Sequence, residues 1–253
     1  MNARWLLAFL LPLSIAAQTI DPGGVVNAAD FRRTLTAHSI AAVFGGNLAI
    51  QECAAMTLPL PRLLCGTQVR VSDPQGNFVY APLFYVSPRQ INFQVPISLG
   101  SLSLCVGTAC QSILVDLQAP AIFELLHEGV VKPVILHSGD FSLVTEQSPA
   151  ANGEVLVMFA TGMGLSYRTL AFPPDGEAAP LDPLTEFGGA RLIRIAGAIA
   201  PVSYAGLAPG FVALAQFNFT VAEEFIASRK FSGPVPLWIE EVGKSKQVTL
   251  HVK

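Results

Sequence analysis

The chain contains an internal repeat, which restricts its fold more than any other feature of the sequence. The stretch APLFYVSPRQINFQVP at Ala81–Pro96 returns, with seven additional residues, as APVSYAGLAPGFVALAQFNFTV at Ala200–Val221. Tyr85 aligns with Tyr204, and the Gln-x-Asn-Phe of the first copy aligns with the same residues of the second. Since a repeated segment indicates a repeated structural unit, the sequence predicts a chain of two related units.

The repeated stretch has the pattern of a β-strand. Apolar residues alternate with polar ones from Gln90 to Val95, and a period of two is typical of a half-buried strand. Val155–Ala160, followed by a glycine turn, resembles Ala42–Gly46 and gives a second sign of duplication. Short strands of this kind, separated by turn residues every 8 to 12 positions, favour antiparallel sandwiches. The predicted fold is therefore all-β, with units at residues 18–118 and 119–253, the second with longer loops.

Composition agrees with sheet and argues against several other classes. Hydrophobic residues make up 51% of the chain and charged residues 13%, against a usual charged share of about 25%. The longest apolar run, Trp5–Leu13, is shorter than the roughly 18 residues that a membrane helix needs. The net charge is −3 and no basic run exceeds two residues, so a nucleic-acid partner is not expected. One helical turn or two is expected at Ala222–Lys230.

The N-terminus has the three parts of a secretory signal peptide. Arg4 supplies the positive charge, Trp5–Leu13 the short apolar segment, and Ser14–Ala17 the small residues for cleavage. The alternative is a buried N-terminal helix. We therefore expect residues 1–17 to be a signal peptide and the protein to be secreted, periplasmic or on the cell surface, with no membrane span after the signal is removed.

The cysteines indicate disulfides. An even number of cysteines in an exported chain predicts disulfide bonds, with three possible connectivities for Cys53, Cys65, Cys105 and Cys110. We favour Cys53–Cys65 and Cys105–Cys110, because the second pair lies at two strand ends joined by a short turn. A zinc site usually takes two C-x2-4-C pairs. The spacings here are eleven and four intervening residues, and no histidine lies close in sequence.

Known catalytic and cofactor motifs are missing from the sequence. The four histidines, His38, His127, His137 and His251, form no HExxH and none lies beside a cysteine. His137 with Asp140 and a distant serine is a conceivable triad, but the chain has no G-x-S-x-G elbow. Thr161–Gly164, TGMG, has neither the GxGxxG of a dinucleotide loop nor the Lys-Ser/Thr of a phosphate loop. No catalytic, metal or cofactor residue is predicted.

Several motifs, taken in order, carry a resemblance to one family. They are VVNAADF at Val25–Phe31, FGGNLA at Phe44–Ala49, LPLP at Leu58–Pro61, YVSPRQINFQVP at Tyr85–Pro96, TGMG at Thr161–Gly164 and YAGLAPGFVALAQFN at Tyr204–Asn218. The chain resembles the uncharacterised C-terminal domain of secreted acidobacterial proteins that is named for Solibacter. The resemblance implies immunoglobulin-like β-domains, export or surface attachment, and no assigned activity.

The chain also departs from that family. Thr36-Ala37-His38-Ser39 lies where the family tends to have Ala-Pro-Gly-Ser, so a different first turn is expected. Ala213 and Ala215 replace a glycine and an aromatic residue in the second repeated motif. These substitutions weaken a ligand-binding role for that strand and leave its fold unaffected.

The expected function is that of an exported, non-enzymatic structural, adhesion or interaction module with a protein or glycan partner at the cell surface. The first alternative is a carbohydrate-binding module that uses the polar rows Gln90/Asn92/Gln94 and Gln216/Asn218/Thr220. The second is a hydrolase with an unrecognised site. The two copies of the repeat differ at the insertion, so we expect an interaction loop that contains Gly206, Leu207, Pro209 and Phe211.

Overall fold

The computed structural model describes residues 17–97, 100–164, 172–188, 192–221, 232–240 and 244–253. In these ranges all regular secondary structure is strand, which confirms the all-β prediction. None of the described residues lies in a helix that could cross a membrane. Nearly all of the predicted signal peptide and the helical turn expected at Ala222–Lys230 lie outside the described residues.

The strands fall into two sets that do not pair with each other within the described residues. The N-terminal half, residues 17–118, contains β1 (Thr19–Asn27), β2 (Thr34–Thr36), β3 (Ile40–Gly46), β4 (Cys53–Ala54), β5 (Val69–Ser72), β6 (Phe78–Tyr80), β7 (Leu83–Val86), β8 (Gln90–Gln94), β9 (Gly100–Val106) and β10 (Ala109–Asp116). The C-terminal half, residues 119–253, contains β11 (Ala121–Ile122), β12 (Glu124–His127), β13 (Val130–Pro133), β14 (Ile135–His137), β15 (Val155–Thr161), β16 (Leu192–Ile195), β17 (Ala198–Ala200), β18 (Val202–Leu207), β19 (Ala215–Thr220), β20 (Gly233–Glu240) and β21 (Val248–Val252).

Two five-stranded sheets form the N-terminal half. Their strand orders are β1-β3-β8-β7-β4 and β2-β10-β9-β5-β6, and every pair is antiparallel except β2 with β10. Alternation along each strand sends one row of apolar side chains inward. Val43 and Phe93 of the first sheet and Leu35 and Leu104 of the second belong to one buried cluster. The core of this half therefore contains side chains from both sheets.

The C-terminal half has the same kind of organisation. One sheet has the order β11-β15-β19-β18, with β14 also paired to β15, and the other has the order β17-β16-β20-β21. Strands β12 and β13 form a separate hairpin. Met158 and Phe217 of the first sheet and Ile193 and Leu237 of the second are fully buried in a second cluster. Each half thus has its own core.

The sequence repeat corresponds to a repeated pair of strands. β8 lies between β3 and β7, and β19 lies between β15 and β18. In both copies the register shifts just before the tyrosine, so that Tyr85 pairs with Asn92 and Tyr204 pairs with Asn218. A bulge at the same place in both copies indicates that the repeat specifies backbone geometry as well as residue type.

The correspondence extends to the second sheet of each half. The order β6-β5-β9-β10 matches β17-β16-β20-β21, element for element along the chain. The parallel pairing of β2 with β10 has a counterpart in a parallel bridge between Ala150 and Val252. The duplication therefore covers most of the strands of both halves.

Some details differ from the sequence predictions. The sequence predicts a first short strand at Ser39–Phe44, whereas the polar, glycine-bearing segment from Thr19 already forms a strand, β1, whose register shifts between Ile20 and Val25. The alternation of Ile113, Val115 and Leu117 predicts that all three face inward, but Leu117 is 46% exposed because β10 ends at Asp116. The sequence also predicts a hairpin of two strands, Val134–Leu136 and Phe141–Val144, but Phe141–Val144 forms only a single bridge, between Leu136 and Leu143.

The four cysteines form the two neighbouring disulfides, and none is free. Cys105 of β9 lies directly opposite Cys110 of β10, so this bond crosses the hairpin as expected. Cys53 of β4 is bonded to Cys65 and closes the proline-rich loop between them. Closing such a loop restricts the unfolded chain and stabilises the fold.

Candidate functional sites

A polar cluster is buried where the two halves meet. His38 follows β2, and its Nδ1 lies 3.0 Å from the side-chain nitrogen of Gln94 on β8. The Gln94 side-chain oxygen accepts a hydrogen bond of 2.6 Å from the Gly176 amide of the C-terminal half. His38 Nε2 faces the Asp175 carboxylate at 3.8 Å. A single glutamine thus joins a turn of one half to a loop of the other.

Burial controls the protonation of this cluster. Desolvation lowers the pKa of His38, and the negative charge of Asp175 opposes that shift only in part. The Phe172 ring stacks on the imidazole, with 5.2 Å between ring centroids. The adjoining cavity has a volume of about 10 Å³, enough for one water molecule at most. This geometry leaves no space for a substrate, so we interpret the cluster as a structural junction.

The glycine turn TGMG belongs to the same junction. The hydroxyl of Thr161 accepts a hydrogen bond of 2.9 Å from the Ile40 amide of the N-terminal half. Gly162 has a φ of 80°, and a Cβ there would lie 2.0 Å from the carbonyl oxygen of Ala119. Glycine is required because the backbone is left-handed and another chain segment passes close by. The glycine turn therefore allows neighbouring chain segments to pack closely against it.

The predicted interaction loop divides into buried and exposed parts. Gly206 and Leu207 lie in β18 and are buried, and the Leu207 amide donates to the Thr185 carbonyl at 2.8 Å. Pro209 is partly buried, whereas Phe211 is 58% exposed. The prolines of Tyr167–Phe187 predict a long surface loop, but the part of it that the structure describes, from residue 172 onward, is partly buried. Four of its described residues are buried: Gly176, Ala179, Thr185 and Phe187.

Exposed apolar side chains gather on the loops around the junction. Leu60, Val212 and Ala213 form a small buried cluster that joins the loop closed by Cys53–Cys65 to the insertion. The Ala179 amide donates to the Phe211 carbonyl at 2.9 Å, which brings the 178–184 segment alongside. We call five exposed apolar residues of these loops the apolar loop surface: Met56, Leu58, Leu181, Leu184 and Phe211.

The polar rows of the repeat are bonded within the protein. Gln90 donates to Asn92 at 2.8 Å, and Gln216 donates to Asn218 at 2.9 Å, so both copies contain the same bond. Gln94 is buried in the junction. Because these side-chain amides already have hydrogen-bond partners within the protein, they are less suited to bind a sugar. Trp238, an aromatic side chain of the kind that stacks on sugars, donates its indole N–H to Glu240 at 3.1 Å.

The histidines are spread over the molecule. His38 lies at the junction, His127 in β12, His137 in β14 and His251 in β21. Asp140 accepts hydrogen bonds from the Ser142 amide and hydroxyl, and within the described residues it makes no hydrogen bond with His137. His137 instead faces Glu154 and Ser148, which lie 17 and 11 residues away in the chain. No motif in the sequence connects these three residues, so only the fold reveals the cluster.

Groups of metal-ligand type do not converge in the part of the chain that the structure describes. No set of three or more His, Cys, Asp or Glu side chains is placed to hold an ion there. Asp73 accepts from Asn77 inside its own turn, which lowers the pKa of its carboxyl group. All four cysteine sulfurs are in disulfides.

No family model matches this chain, and a search of curated proteins finds no similar one. The resemblance to the Solibacter family therefore stays a prediction, and function has to be argued from the structure.

Proposed function

We propose that this protein is an exported interaction module of two tandem immunoglobulin-like sandwiches that binds a protein or glycan at the cell surface. Immunoglobulin sandwiches have the sheet orders A-B-E-D and G-F-C, to which variable domains add C′. With β1, β3, β8 and β7 as A, B, E and D, and β10, β9, β5 and β6 as G, F, C and C′, the N-terminal half fits. β11-β15-β19-β18 and β21-β20-β16-β17 fit in the same way.

The disulfides support export but differ from those of antibody domains. Disulfide bonds persist in oxidising compartments, and both pairs of cysteines are bonded here. Antibody domains join strands B and F across the core, whereas Cys105–Cys110 joins the strands assigned to F and G. Together with the signal pattern at Met1–Ala17, the disulfides support a protein that works outside the cytoplasm.

The observation that carries the interaction proposal is the apolar loop surface. Met56 is 90% exposed, Leu181 74% and Phe211 58%. Single exposed apolar residues are common, but neighbouring ones on adjacent loops mark contact sites. Hydrogen bonds and the Leu60 cluster order the loops, so little conformational entropy is lost when a partner binds. This surface contains Phe211 of the insertion that distinguishes the two copies of the repeat.

Binding of fluorescently labelled protein to whole cells of the source organism tests the proposal. We expect the double variant Met56→Ser/Phe211→Ser to lose at least about tenfold in cell-surface binding, because each serine removes buried apolar contact with the partner. Prior treatment of the cells with a protease or with glycosidases shows whether the partner is protein or glycan.

The matched control is Leu126→Ser on the β12–β13 hairpin. Leu126 is 73% exposed and lies outside the apolar loop surface, so this variant should bind as the wild type does. Equal binding by the wild type and the double variant would contradict the proposed surface. A wild-type protein that does not bind cells at all would contradict the interaction function itself.

A further inference from the structure

A serine hydroxyl, an imidazole and a carboxylate lie in series at one edge of the C-terminal half. Ser148 Oγ is 3.2 Å from His137 Nε2. On the other side of the ring, His137 Nδ1 is 2.5 Å from Glu154 Oε1. Both distances are within hydrogen-bond reach, and the order of groups is that of an activated serine nucleophile.

The backbone fixes the base and the carboxylate. His137 ends β14, and its amide donates to the Ser142 carbonyl at 2.9 Å. Glu154 precedes β15, and its second carboxylate oxygen accepts from the Ala151 amide at 2.7 Å. A carboxylate held in this way keeps its remaining oxygen directed at the imidazole. The orientation of the ring is therefore set from its Nδ1 side.

A tight turn fixes the serine. The Ser148 amide donates to the Thr145 hydroxyl at 3.1 Å, and the Thr145 amide donates to the Ser148 carbonyl at 3.0 Å. The side chain of Ser148 is exposed and borders an open cleft of about 410 Å³. A small substrate can therefore reach the hydroxyl from solvent.

The hydrogen bonds also set the tautomer. A carboxylate at Nδ1 stabilises the imidazole that carries its proton there, which leaves the lone pair of Nε2 to accept from Ser148 Oγ. When Nε2 takes up that proton, the Ser148 carbonyl, 3.1 Å away, can accept a hydrogen bond from it. Glu154 then faces a positive ring. His137 can thus take up the proton of the Ser148 hydroxyl on Nε2 and release it again.

A second serine in the cleft, Ser142, has a hydroxyl whose role is only structural. Ser142 donates to Asp140 at 2.8 Å inside a turn, and its hydroxyl faces a carboxylate rather than an imidazole base. Ser148 differs because its hydroxyl faces the ring nitrogen that has no carboxylate partner. The contrast makes Ser142 the natural internal control.

We propose that Ser148 is a nucleophile for acyl transfer, with His137 as general base and Glu154 as a positioning residue. Two carboxylates, Asp140 and Glu154, and one ammonium group, that of Lys253, line the cleft. This excess of negative charge disfavours anionic substrates, so the substrate class is a small uncharged carboxylic ester. The proposal goes beyond the interaction function and concerns a different part of the molecule.

The reaction balances with groups that are present. Ser148 Oγ forms a bond to the carbonyl carbon of the ester while its proton moves to His137 Nε2. The bond from that carbon to the alcohol oxygen breaks, and the departing alcohol takes the proton from Nε2. Water then attacks the acyl-serine with the same proton transfers, which releases the carboxylic acid and restores the Ser148 hydroxyl.

A fluorophosphonate probe tests the nucleophile, since Oγ attack on phosphorus expels fluoride and leaves a stable adduct. We expect the wild type and Ser142→Ala to be labelled at Ser148, as located by mass spectrometry, and Ser148→Ala to remain unlabelled. His137→Gln should lower the labelling rate by about 100-fold, since it removes the general base. No labelling of the wild type, or equal labelling of Ser148→Ala, would overturn the proposal.

Further variants separate catalysis from structure. In Ser148→Cys the thiol lies beside His137, so iodoacetamide should alkylate it at least about tenfold faster than the thiol of Ser142→Cys; equal rates would refute an activating base. Glu154→Gln should slow the labelling of Ser148, and Glu154→Asp should restore part of the rate, because the carboxylate at Nδ1 orients the imidazole. A Glu154→Gln variant that is labelled as fast as the wild type would remove Glu154 from the proposal.

Discussion

At the scale of single residues, the environment decides what each polar side chain does. His38 and His137 are the same residue type, yet one is enclosed between Gln94, Phe172 and Asp175, and the other borders an open cleft. His38 also has a φ of 59°, a left-handed conformation, at the position where the resembled family tends to have glycine. Histidine is among the residues that enter this region more readily than most.

The buried imidazole should make stability depend on pH. Because burial lowers the pKa of His38 in the folded protein, the unfolded chain binds a proton more readily as the pH falls through about 6.5. The free energy of unfolding should therefore be greatest above that pH and should decrease below it. Urea denaturation at a series of pH values measures this dependence.

His38→Asn removes the titrating group and keeps a residue that tolerates the left-handed backbone. We expect this variant to lose that part of the pH dependence which lies near and below pH 6.5. His127→Asn, on the β12–β13 hairpin, serves as the control and should keep the wild-type slope. A His38→Asn variant with an unchanged slope would show that His38 is not the responsible group.

At the scale of strands, the two copies of the repeat share the same strand pairing, and the insertion in the second copy adds a hydrogen-bond partner for its tyrosine. Both copies have a tyrosine just after the register shift, opposite an asparagine. In the second copy, the tyrosine hydroxyl of Tyr204 donates to the Leu207 carbonyl at 2.6 Å. The Tyr85 hydroxyl makes no hydrogen bond within the described residues. The insertion therefore supplies a partner that the first copy lacks.

Tyr204→Phe should lower the free energy of unfolding by about 1 kcal/mol, because the change removes one partly buried hydrogen bond and little else. Tyr85→Phe is the matched variant and should change stability by less than about 0.5 kcal/mol. Urea denaturation of both variants at neutral pH provides the comparison. Equal losses in the two variants would contradict a specific role for the Tyr204 hydroxyl.

At the scale of the whole molecule, two separate cores are joined by a junction that is both polar and apolar. Gln94 and Thr161 supply hydrogen bonds across it, while Leu60 packs with Val212 and Ala213. Contacts of this kind couple the stabilities of adjoining units, because opening one unit also breaks the shared contacts. We therefore expect the two halves to unfold together.

Ala213→Asp tests this coupling. Ala213 is buried in the small apolar cluster, so the new carboxylate would lie unpaired among apolar side chains and should cost about 3 kcal/mol or more. We expect calorimetry to show one unfolding transition for the wild type and two for the variant. Ile199→Asp, at an exposed position of β17, should keep the single transition. If Ala213→Asp shows one transition at a lower temperature, the halves do not unfold separately when the small apolar cluster is disrupted, and the expectation is contradicted.

Local pattern was sufficient for several elements of this protein. The alternation around Ile91 and Phe93 predicted a strand with a buried face, and both side chains are fully buried. The repeat predicted equivalent strand pairs, and the turn between Cys105 and Cys110 predicted a hairpin with a cross-strand bond. Patterns of this kind are readable because residues two positions apart in a strand share a face, and turn residues adjoin each other in the chain.

The candidate sites could not be predicted in the same way. No sequence motif connects His137, Ser148 and Glu154. They are close together because β14 pairs with β15 and because a turn places Ser148 next to His137. Likewise, Gln94 looked like one member of a polar row, but the approach of the C-terminal half buried it. Thus the sequence by itself determined the repeat, several strands and the Cys105–Cys110 hairpin, since these depend on near neighbours. The tertiary structure decided the junction and the serine cluster, because those contacts join residues whose distance is set by folding.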